Sequence, residues 1–215
     1  MVSWYPPGTQ DSVQKGKELA VEDGVLMPLL LRCAAVEGLK IGAPCSAPPP
    51  VAIQLGLTLV CSFIALHVEP YEGRNADSLR RDLEYASKAY GEHPAMQKDQ
   101  GRLVYYLYDS YREPATEWAK LFAPYAPHTV RGTSLDGLFI CLLLDNAHLQ
   151  YAVDAHCDGY YTYFASPISW GANPRNWDAA HRFAAQHSLI FAPSVGPGYI
   201  DTRVHRAPLH QPWLI

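Results

Sequence analysis

The segment that decides the fold is FIALHVEPYEGRN, which runs from Phe63 to Asn75. It begins with four apolar residues and then places a histidine and a glutamate two positions apart. Side chains along a strand alternate between its two faces. One face of the predicted strand carries Ile64, Leu66 and Val68, and the other carries Phe63, Ala65, His67 and Glu69. The aliphatic face suits packing against helices, which leaves His67 and Glu69 on the inner face of a barrel.

Working outward from this segment, apolar or aromatic strands alternate with amphipathic helices along the chain. The predicted strands are residues 1–4, 63–69, 103–109, 136–144, 158–164 and the segment LIFAPSVGPG at 189–198, and the predicted helices are residues 25–36, 75–90, 114–122, 147–155 and 176–187. Nearly continuous hydrophobic strands separated by helices indicate a parallel sheet. About six βα repeats with polar strand ends favour an α/β fold of the (β/α)8 TIM-type barrel over an open sheet.

Polar side chains recur where the predicted strands end, which is where this fold builds its active sites. His67 and Glu69 end one strand, Asp109 ends the next, and the hydroxyls of Tyr161 and Tyr163 lie on one face of a third. A salt bridge at the barrel rim is the alternative explanation for His67 and Glu69. Convergence of three strand ends favours a functional site.

Composition narrows the class of partner. Of 215 residues, 48% are hydrophobic and 18% are charged, the formal net charge is −4, and no lysine- or arginine-rich run is present. These values argue against a nucleic-acid-binding protein. The 14 tyrosines and 5 tryptophans suit a cleft that stacks on a neutral ligand, although an aromatic core explains them equally simply.

Metal, disulfide and targeting signals are weak in this sequence. Five cysteines form no CxxC pair, so buried free thiols are expected rather than a disulfide framework or a zinc site. Nine histidines form no HExxH pattern, and no metal or cofactor is expected. The N-terminus MVSWYPPG lacks the basic and apolar regions of a signal peptide, and the apolar stretch at 51–66 is short for a membrane span.

Six motifs in register carry a resemblance to a known family. They are SWYPPG (3–8), HVEPYEGR (67–74), YDSY (108–111), DGLFI (136–140), DGYYTYFAS (158–166) and PSVGPGYIDT (193–202). Together they resemble the endo-α-1,2-mannosidases of glycoside hydrolase family 99. The resemblance implies a (β/α)8 barrel and retaining cleavage of an internal α-1,2-mannosidic bond in glucosylated high-mannose N-glycans. It also implies a 1,2-anhydro sugar intermediate and a location in the Golgi membrane.

The resemblance also implies roles for individual residues. Trp4 is similar to a tryptophan that lines the sugar subsite beside the cleaved bond, with core packing as the alternative. His67 and Glu69 match an active-site His-x-Glu, and Tyr163 matches an active-site tyrosine. Asp109 lies in a matching motif, where its role is binding or structural. Gly196 and Gly198 are expected to shape a loop.

The chain departs from the family pattern in two ways. It contains no NEWHEG-type segment, in which the family's catalytic acids lie, so no catalytic residue is assigned and the chain is expected to be inactive. By this count a single partial barrel domain, residues 1–215, holds strands two to seven. Residues 41–63 are proline-rich and then apolar, and they are expected to be an insertion from intron read-through or a gene-model artefact. The alternatives are a non-catalytic glycan-binding isoform and a barrel fragment without function.

Overall fold

The computed structural model describes residues 64–163 and 167–195, together with the backbone of residues 2–4. Its strands are β1 (Val2–Trp4), β2 (Leu66–Val68), β3 (Lys98–Asp99), β4 (Arg102–Leu107), β5 (Gly137–Leu142), β6 (Gly159–Tyr161) and β7 (Ile190–Ala192). Its α-helices are α1 (Ala76–Tyr90), α2 (Ala115–Phe122), α3 (Ala147–Asp154) and α4 (Trp177–Gln186), and short 3₁₀ turns cover Ser110–Arg112 and Pro174–Asn176.

Six of the strands form one parallel sheet in chain order, β1-β2-β4-β5-β6-β7, and β3 pairs antiparallel with β4. A helix stands between each pair of successive parallel strands from β2 to β7. This arrangement is the predicted α/β fold of a partial (β/α) barrel. The predicted elements that fall within the described residues are all present, with strands one to several residues shorter than predicted.

Two apolar clusters cover the two faces of the sheet. The outer cluster joins Leu66 and Val68 of β2 to helix residues such as Leu79 and Trp118. The inner cluster is smaller and contains Ala65, Val104, Leu138, Ile140, Leu142 and Tyr161. The predicted alternation of strand β2 is therefore correct, because its aliphatic residues face the helices and its inner face belongs to the barrel interior.

Helix α1 begins where the sequence predicts. The Asn75 side chain accepts a hydrogen bond from the Ser78 amide, and Ser78 Oγ accepts one from the Asn75 amide, which completes a capping box. Leu79, Leu83 and Ala86 are fully buried, as their helical spacing predicts. The helix is thus fixed at its start by its own side chains and along its length by the outer cluster.

One expectation about the cysteines is wrong. Cys141 in β5 and Cys157, which precedes β6, form a disulfide bond with Cα atoms 6.2 Å apart. Both residues are buried in the outer cluster. They lie 16 positions apart without any pair motif, so sequence spacing alone gave no sign that adjacent parallel strands bring them together.

Several predictions fall outside the described residues. These are the helix at 25–36, the insertion at 41–63 and the loop containing Gly196 and Gly198. They stay predictions. Within the part of the chain that the structure describes, no helix is both long and apolar enough to cross a membrane.

Candidate functional site

A chain of side-chain hydrogen bonds lies at the carboxyl end of β2. His67 is buried and stands between two partners, with Nδ1 2.8 Å from Glu69 Oε1 and Nε2 2.7 Å from the Tyr161 hydroxyl. Glu69 follows β2, and Tyr161 is the last residue of β6. One imidazole therefore links β2 to β6, two strands that β4 and β5 separate in the sheet.

Protonation in this chain follows from burial. Tyr161 is 1% exposed, and burial raises the pKa of its phenol far above the usual value, with a further rise from the Glu69 charge. With the imidazole proton on Nδ1, the phenol donates to Nε2 of His67, and Nδ1 donates to the Glu69 carboxylate, so that both contacts are hydrogen bonds. Glu69 is thereby held as a buried, oriented acceptor.

Aromatic rings surround His67 at the same end of the sheet. The Tyr108 ring lies 5.0 Å from the imidazole, and the Tyr163 ring is stacked on the imidazole at 6.3 Å. Tyr108 and Tyr163 are 5.0 Å apart, and Tyr106 contacts Tyr161 edge-on at 5.1 Å. Tyr163 is 41% exposed, so this aromatic cluster opens to solvent on one side. A half-exposed ring beside a buried carboxylate can stack on a pyranose while the carboxylate accepts its hydroxyls.

Asp109 lies beside this cluster, but its carboxylate is already occupied. Oδ1 accepts a 2.8 Å hydrogen bond from the Tyr111 hydroxyl, and Oδ2 lies 2.9 Å from Arg112 Nε. Asp109 has a left-handed backbone with φ of 47°. These contacts assign it to the structure of the turn after β4 more readily than to direct ligand contact.

Trp4 is placed only by its backbone. The register of β1 and β2 pairs Ser3 with His67 and Trp4 with Val68. Trp4 thus stands one strand away from His67, at the same end of the sheet. The group around that histidine, called the His67 cluster, consists of His67, Glu69, Tyr108, Tyr161 and Tyr163. The side chain lies outside what the structure describes, so its sugar contact stays a prediction.

The structure brings together three of the five residues predicted to bind substrate, His67, Glu69 and Tyr163. Tyr161, whose hydroxyl is predicted to lie on the same face as that of Tyr163, lies with them, and Tyr108 is an addition that was not predicted. Tyr161 supplies the second partner of His67, and Tyr108 packs on both rings. A signal for Tyr108 was present in LVYYLYD, because strand alternation puts Val104, Tyr106 and Tyr108 on one face. The prediction assigns only Asp109, the last residue of the predicted strand 103–109, to the site and passes over Tyr108 beside it.

A family assignment follows from comparison with known proteins. The model of glycosyl hydrolase family 99 matches residues 58–212, which is more than half of the chain and includes every residue of the His67 cluster. The chain belongs to glycoside hydrolase family 99.

Solved structures of family 99 agree with the fold. One structure of the endo-α-mannosidase from Bacteroides thetaiotaomicron is 33% identical, covers 95% of this chain and 50% of its own, and has a TM-score of 0.68. Another, in complex with bis-tris propane, is 41% identical, covers 67% of this chain and 45% of its own, and has a TM-score of 0.64.

Curated family 99 relatives align with nearly the whole chain. The human glycoprotein endo-α-1,2-mannosidase-like protein is 32% identical over 219 residues, which is 99% of this chain and 40% of that protein. The glycoprotein endo-α-1,2-mannosidase of Xenopus laevis is 34% identical, over 99% of this chain and 41% of its own. The chain spans about 40% of the length of these relatives.

Metal-ligating side chains do not cluster in the described part of this family 99 chain. No group of three or more histidine, cysteine, aspartate or glutamate side chains stands close enough to hold an ion there.

Proposed function

We propose that this chain carries the sugar-binding part of an endo-α-mannosidase-type site for mannose-containing N-glycans. The observation that carries the proposal is the chain Glu69–His67–Tyr161, with the rings of Tyr108 and Tyr163 beside it. Relatives of this chain are named endo-α-1,2-mannosidases, and related solved structures are named endo-α-mannosidases.

Glu69 is suited to accept sugar hydroxyls. Its carboxylate is buried, and His67 holds one of its oxygens at 2.8 Å. The Glu69 side chain is 11% exposed, which leaves the carboxylate partly open to a hydroxyl donor. A charged acceptor gives a stronger hydrogen bond than a neutral one, and the stacked rings exclude water from one side.

We also propose that residues 1–215 on their own bind glycans without cleaving them. Glycoside hydrolysis in its usual form needs two carboxyl groups that flank the scissile bond. At the described strand ends two buried carboxylates are present, Glu69 and Asp109, and Asp109 is engaged by Tyr111 and Arg112. Among the described residues, one available buried carboxylate at the strand ends supports binding but not the paired acid and base steps.

The test is a titration of the 215-residue chain with α-1,2-mannobiose by isothermal calorimetry, with cellobiose as the control sugar. A parallel incubation with a glucosylated high-mannose glycan is analysed by mass spectrometry for a released fragment. We expect binding of mannobiose, weaker or no binding of cellobiose, and no fragment. The matched variant Glu69→Gln keeps the shape of the side chain and removes its charge, and we expect at least about tenfold weaker binding.

The outcomes separate the candidate functions. A released fragment would show that the chain is an active hydrolase and would overturn the second proposal. A folded chain that does not bind mannobiose, or a Glu69→Gln variant that binds it as well as the wild type, would overturn the first proposal, that this chain binds the sugar. A barrel fragment without a function of its own would then be the better description.

The location in the Golgi membrane is likewise a proposal. It comes from the resemblance to family 99, and the Cys141–Cys157 disulfide is consistent with folding in an oxidising compartment. Fluorescence microscopy of the tagged chain beside a Golgi marker tests the location. A diffuse cytosolic signal would contradict it.

A further inference from the structure

Arg74 is a buried arginine whose side chain donates hydrogen bonds to two backbone carbonyls that lie 34 and 35 residues away along the chain. It lies just before α1 and is 4% exposed. One terminal nitrogen donates to the Tyr108 carbonyl at 2.7 Å, and the other donates to the Asp109 carbonyl at 2.8 Å. The planar fork of a guanidinium can hold two neighbouring carbonyls at once, which an ammonium cannot do in a fixed geometry.

The two carbonyls belong to a corner of the chain, residues 108–110, at the end of β4. The next carbonyl, that of Ser110, accepts from Trp118 Nε1 at 2.9 Å, and the Tyr151 hydroxyl lies 2.5 Å from it. Three consecutive carbonyl oxygens are therefore held by side chains from three other parts of the fold. Asp109 has a positive φ of 47°, a conformation that such contacts hold in place.

This corner sets the position of the Tyr108 ring. The Tyr108 amide donates to the Val68 carbonyl at 3.0 Å, which ties the corner to the end of β2. From there the ring reaches His67 and Tyr163, each with ring centroids 5.0 Å away. A shift of the two carbonyls held by Arg74 would move this ring out of contact with the imidazole.

The environment of Arg74 is unfavourable for a residue that serves stability alone. Burial lowers the pKa of its guanidinium, which marks an unfavourable environment for the charge. Its Nε is buried and has no hydrogen-bond partner within the described residues. The guanidinium lies over the Trp118 ring at 5.5 Å, and the charges of Glu113 and Asp109 also favour it, but neither carboxylate forms a direct ion pair with it among the described residues. A buried charge that is not fully hydrogen-bonded fits a role in geometry.

We infer that Arg74 is a positioning residue of the sugar site, which holds the corner at 108–110 so that Tyr108 packs on His67 and Tyr163. The expected effect of Arg74 on sugar binding rests on the proposed function, whereas its expected effect on the backbone of the corner does not. The alternative is that Arg74 only joins α1 to α2 and leaves the site unaffected.

The experiment compares Arg74→Lys and Arg74→Met with the control Arg80→Met in the 215-residue chain. Arg80 is a more exposed arginine on α1, which bonds the His128 carbonyl and pairs with Glu84. Three quantities are measured on each folded variant: the Kd for α-1,2-mannobiose, amide hydrogen exchange and the urea midpoint. The informative amides are those of Arg112 and Glu113, which donate to the corner carbonyls of Asp109 and Ser110.

We expect both Arg74 variants to bind mannobiose at least fivefold more weakly and to exchange the two corner amides at least tenfold faster. Arg80→Met stays within twofold of the wild type in both. If Arg74→Met does not fold, Arg74→Lys carries the test, because it keeps the charge and loses the fork. Folded Arg74 variants with wild-type corner exchange, or with exchange raised uniformly along α1 and α2, would overturn the inference.

Failure of the two proposals can be told apart. A wild-type chain that binds no mannobiose would remove the proposed function, and corner exchange alone would then decide the role of Arg74. A wild-type chain that binds, with Arg74 variants that bind equally well, would remove the positioning role and leave the proposed function intact.

Discussion

At the scale of single residues, the site depends on how His67 is held. An imidazole can adopt two neutral tautomers, and the partner at each nitrogen decides between them. Here a carboxylate and a phenol stand at opposite ring nitrogens, at 2.8 and 2.7 Å. The orientation of Glu69 therefore depends on Tyr161, a residue on the far side of the sheet that need not touch a sugar.

The variant Tyr161→Phe tests this dependence. It removes the donor to His67 Nε2 and leaves a buried nitrogen without a partner, which we expect to lower the free energy of unfolding by about 1–3 kcal/mol. We also expect weaker mannobiose binding, because the Glu69 carboxylate loses its fixed orientation. Urea denaturation and calorimetry measure the two effects.

The control for this variant is Tyr125→Phe, since Tyr125 is 98% exposed. Its free energy of unfolding should stay within about 0.5 kcal/mol of the wild type. Equal stability of the Tyr161→Phe and Tyr125→Phe variants would mean that the hydrogen bond to His67 contributes nothing.

At the scale of elements, α1 is docked through a buried polar contact beside the apolar one. The Tyr71 hydroxyl donates to the Asp82 carboxylate and lies 2.8 Å from Ser78 Oγ. Asp82 is 8% exposed, and burial raises its pKa from 3.8 to about 6, although the hydrogen bond from Tyr71 opposes the rise. The ionised carboxylate is thus less stable in the folded chain than in the unfolded one.

This raised pKa gives stability a definite pH dependence. Between about pH 4 and 6 the folded chain binds more protons at Asp82 than the unfolded chain, so the free energy of unfolding falls as the pH rises. The variant Asp82→Asn lacks this titration and should gain about 2 kcal/mol relative to the wild type between those pH values. Urea denaturation at pH 4, 5, 6 and 7 measures the difference.

The exposed carboxylate of Asp77 on the same helix provides the comparison. Asp77→Asn should keep the wild-type decline in stability between pH 4 and 6. If Asp82→Asn declines as steeply as the wild type, Asp82 does not titrate in this range.

Most elements could be predicted from sequence because their signals are local. Asn75 and Ser78 cap α1 within four residues, and Leu79, Leu83 and Ala86 repeat at the helical period. The hydrogen bonds from Arg74 to the two carbonyls of the corner after β4 could not be predicted, because 34 and 35 residues separate the partners. The same holds for His67 and Tyr161, which are 94 positions apart. Pattern predicts which face a residue occupies, and only the fold determines its partner there.

At the scale of the whole molecule, the disulfide links the regions of two neighbouring strands of the parallel sheet, β5 and β6. It joins Cys141 in β5 to Cys157, just before β6, across a separation of 16 positions. A loop of this length restricts the unfolded chain by about 3 kcal/mol in the chain-entropy description. The bond therefore stabilises the region from which Tyr161 reaches His67.

Reduction of this bond should be measurable as a loss of stability. We expect the free energy of unfolding to fall by about 2–4 kcal/mol in the presence of a phosphine reductant. The double variant Cys141→Ala/Cys157→Ala should show no response to the reductant. Identical urea midpoints for oxidised and reduced wild type, with reduction verified by mass, would contradict the expectation.

The lengths of the strands have a further consequence. β4 and β5 are six residues long and pair over five positions, whereas β1, β2, β6 and β7 are three residues long. Short ladders separate at lower free energy than long ones, so thermal opening of such a sheet starts at its margins and moves inward. His67 and Tyr161 lie on the short strands, and Tyr108 follows a long one. A saccharide held by Glu69 and Tyr163, which follow the short strands β2 and β6, would connect these two strands and suppress the local opening of the sheet where the strand pairing is shortest.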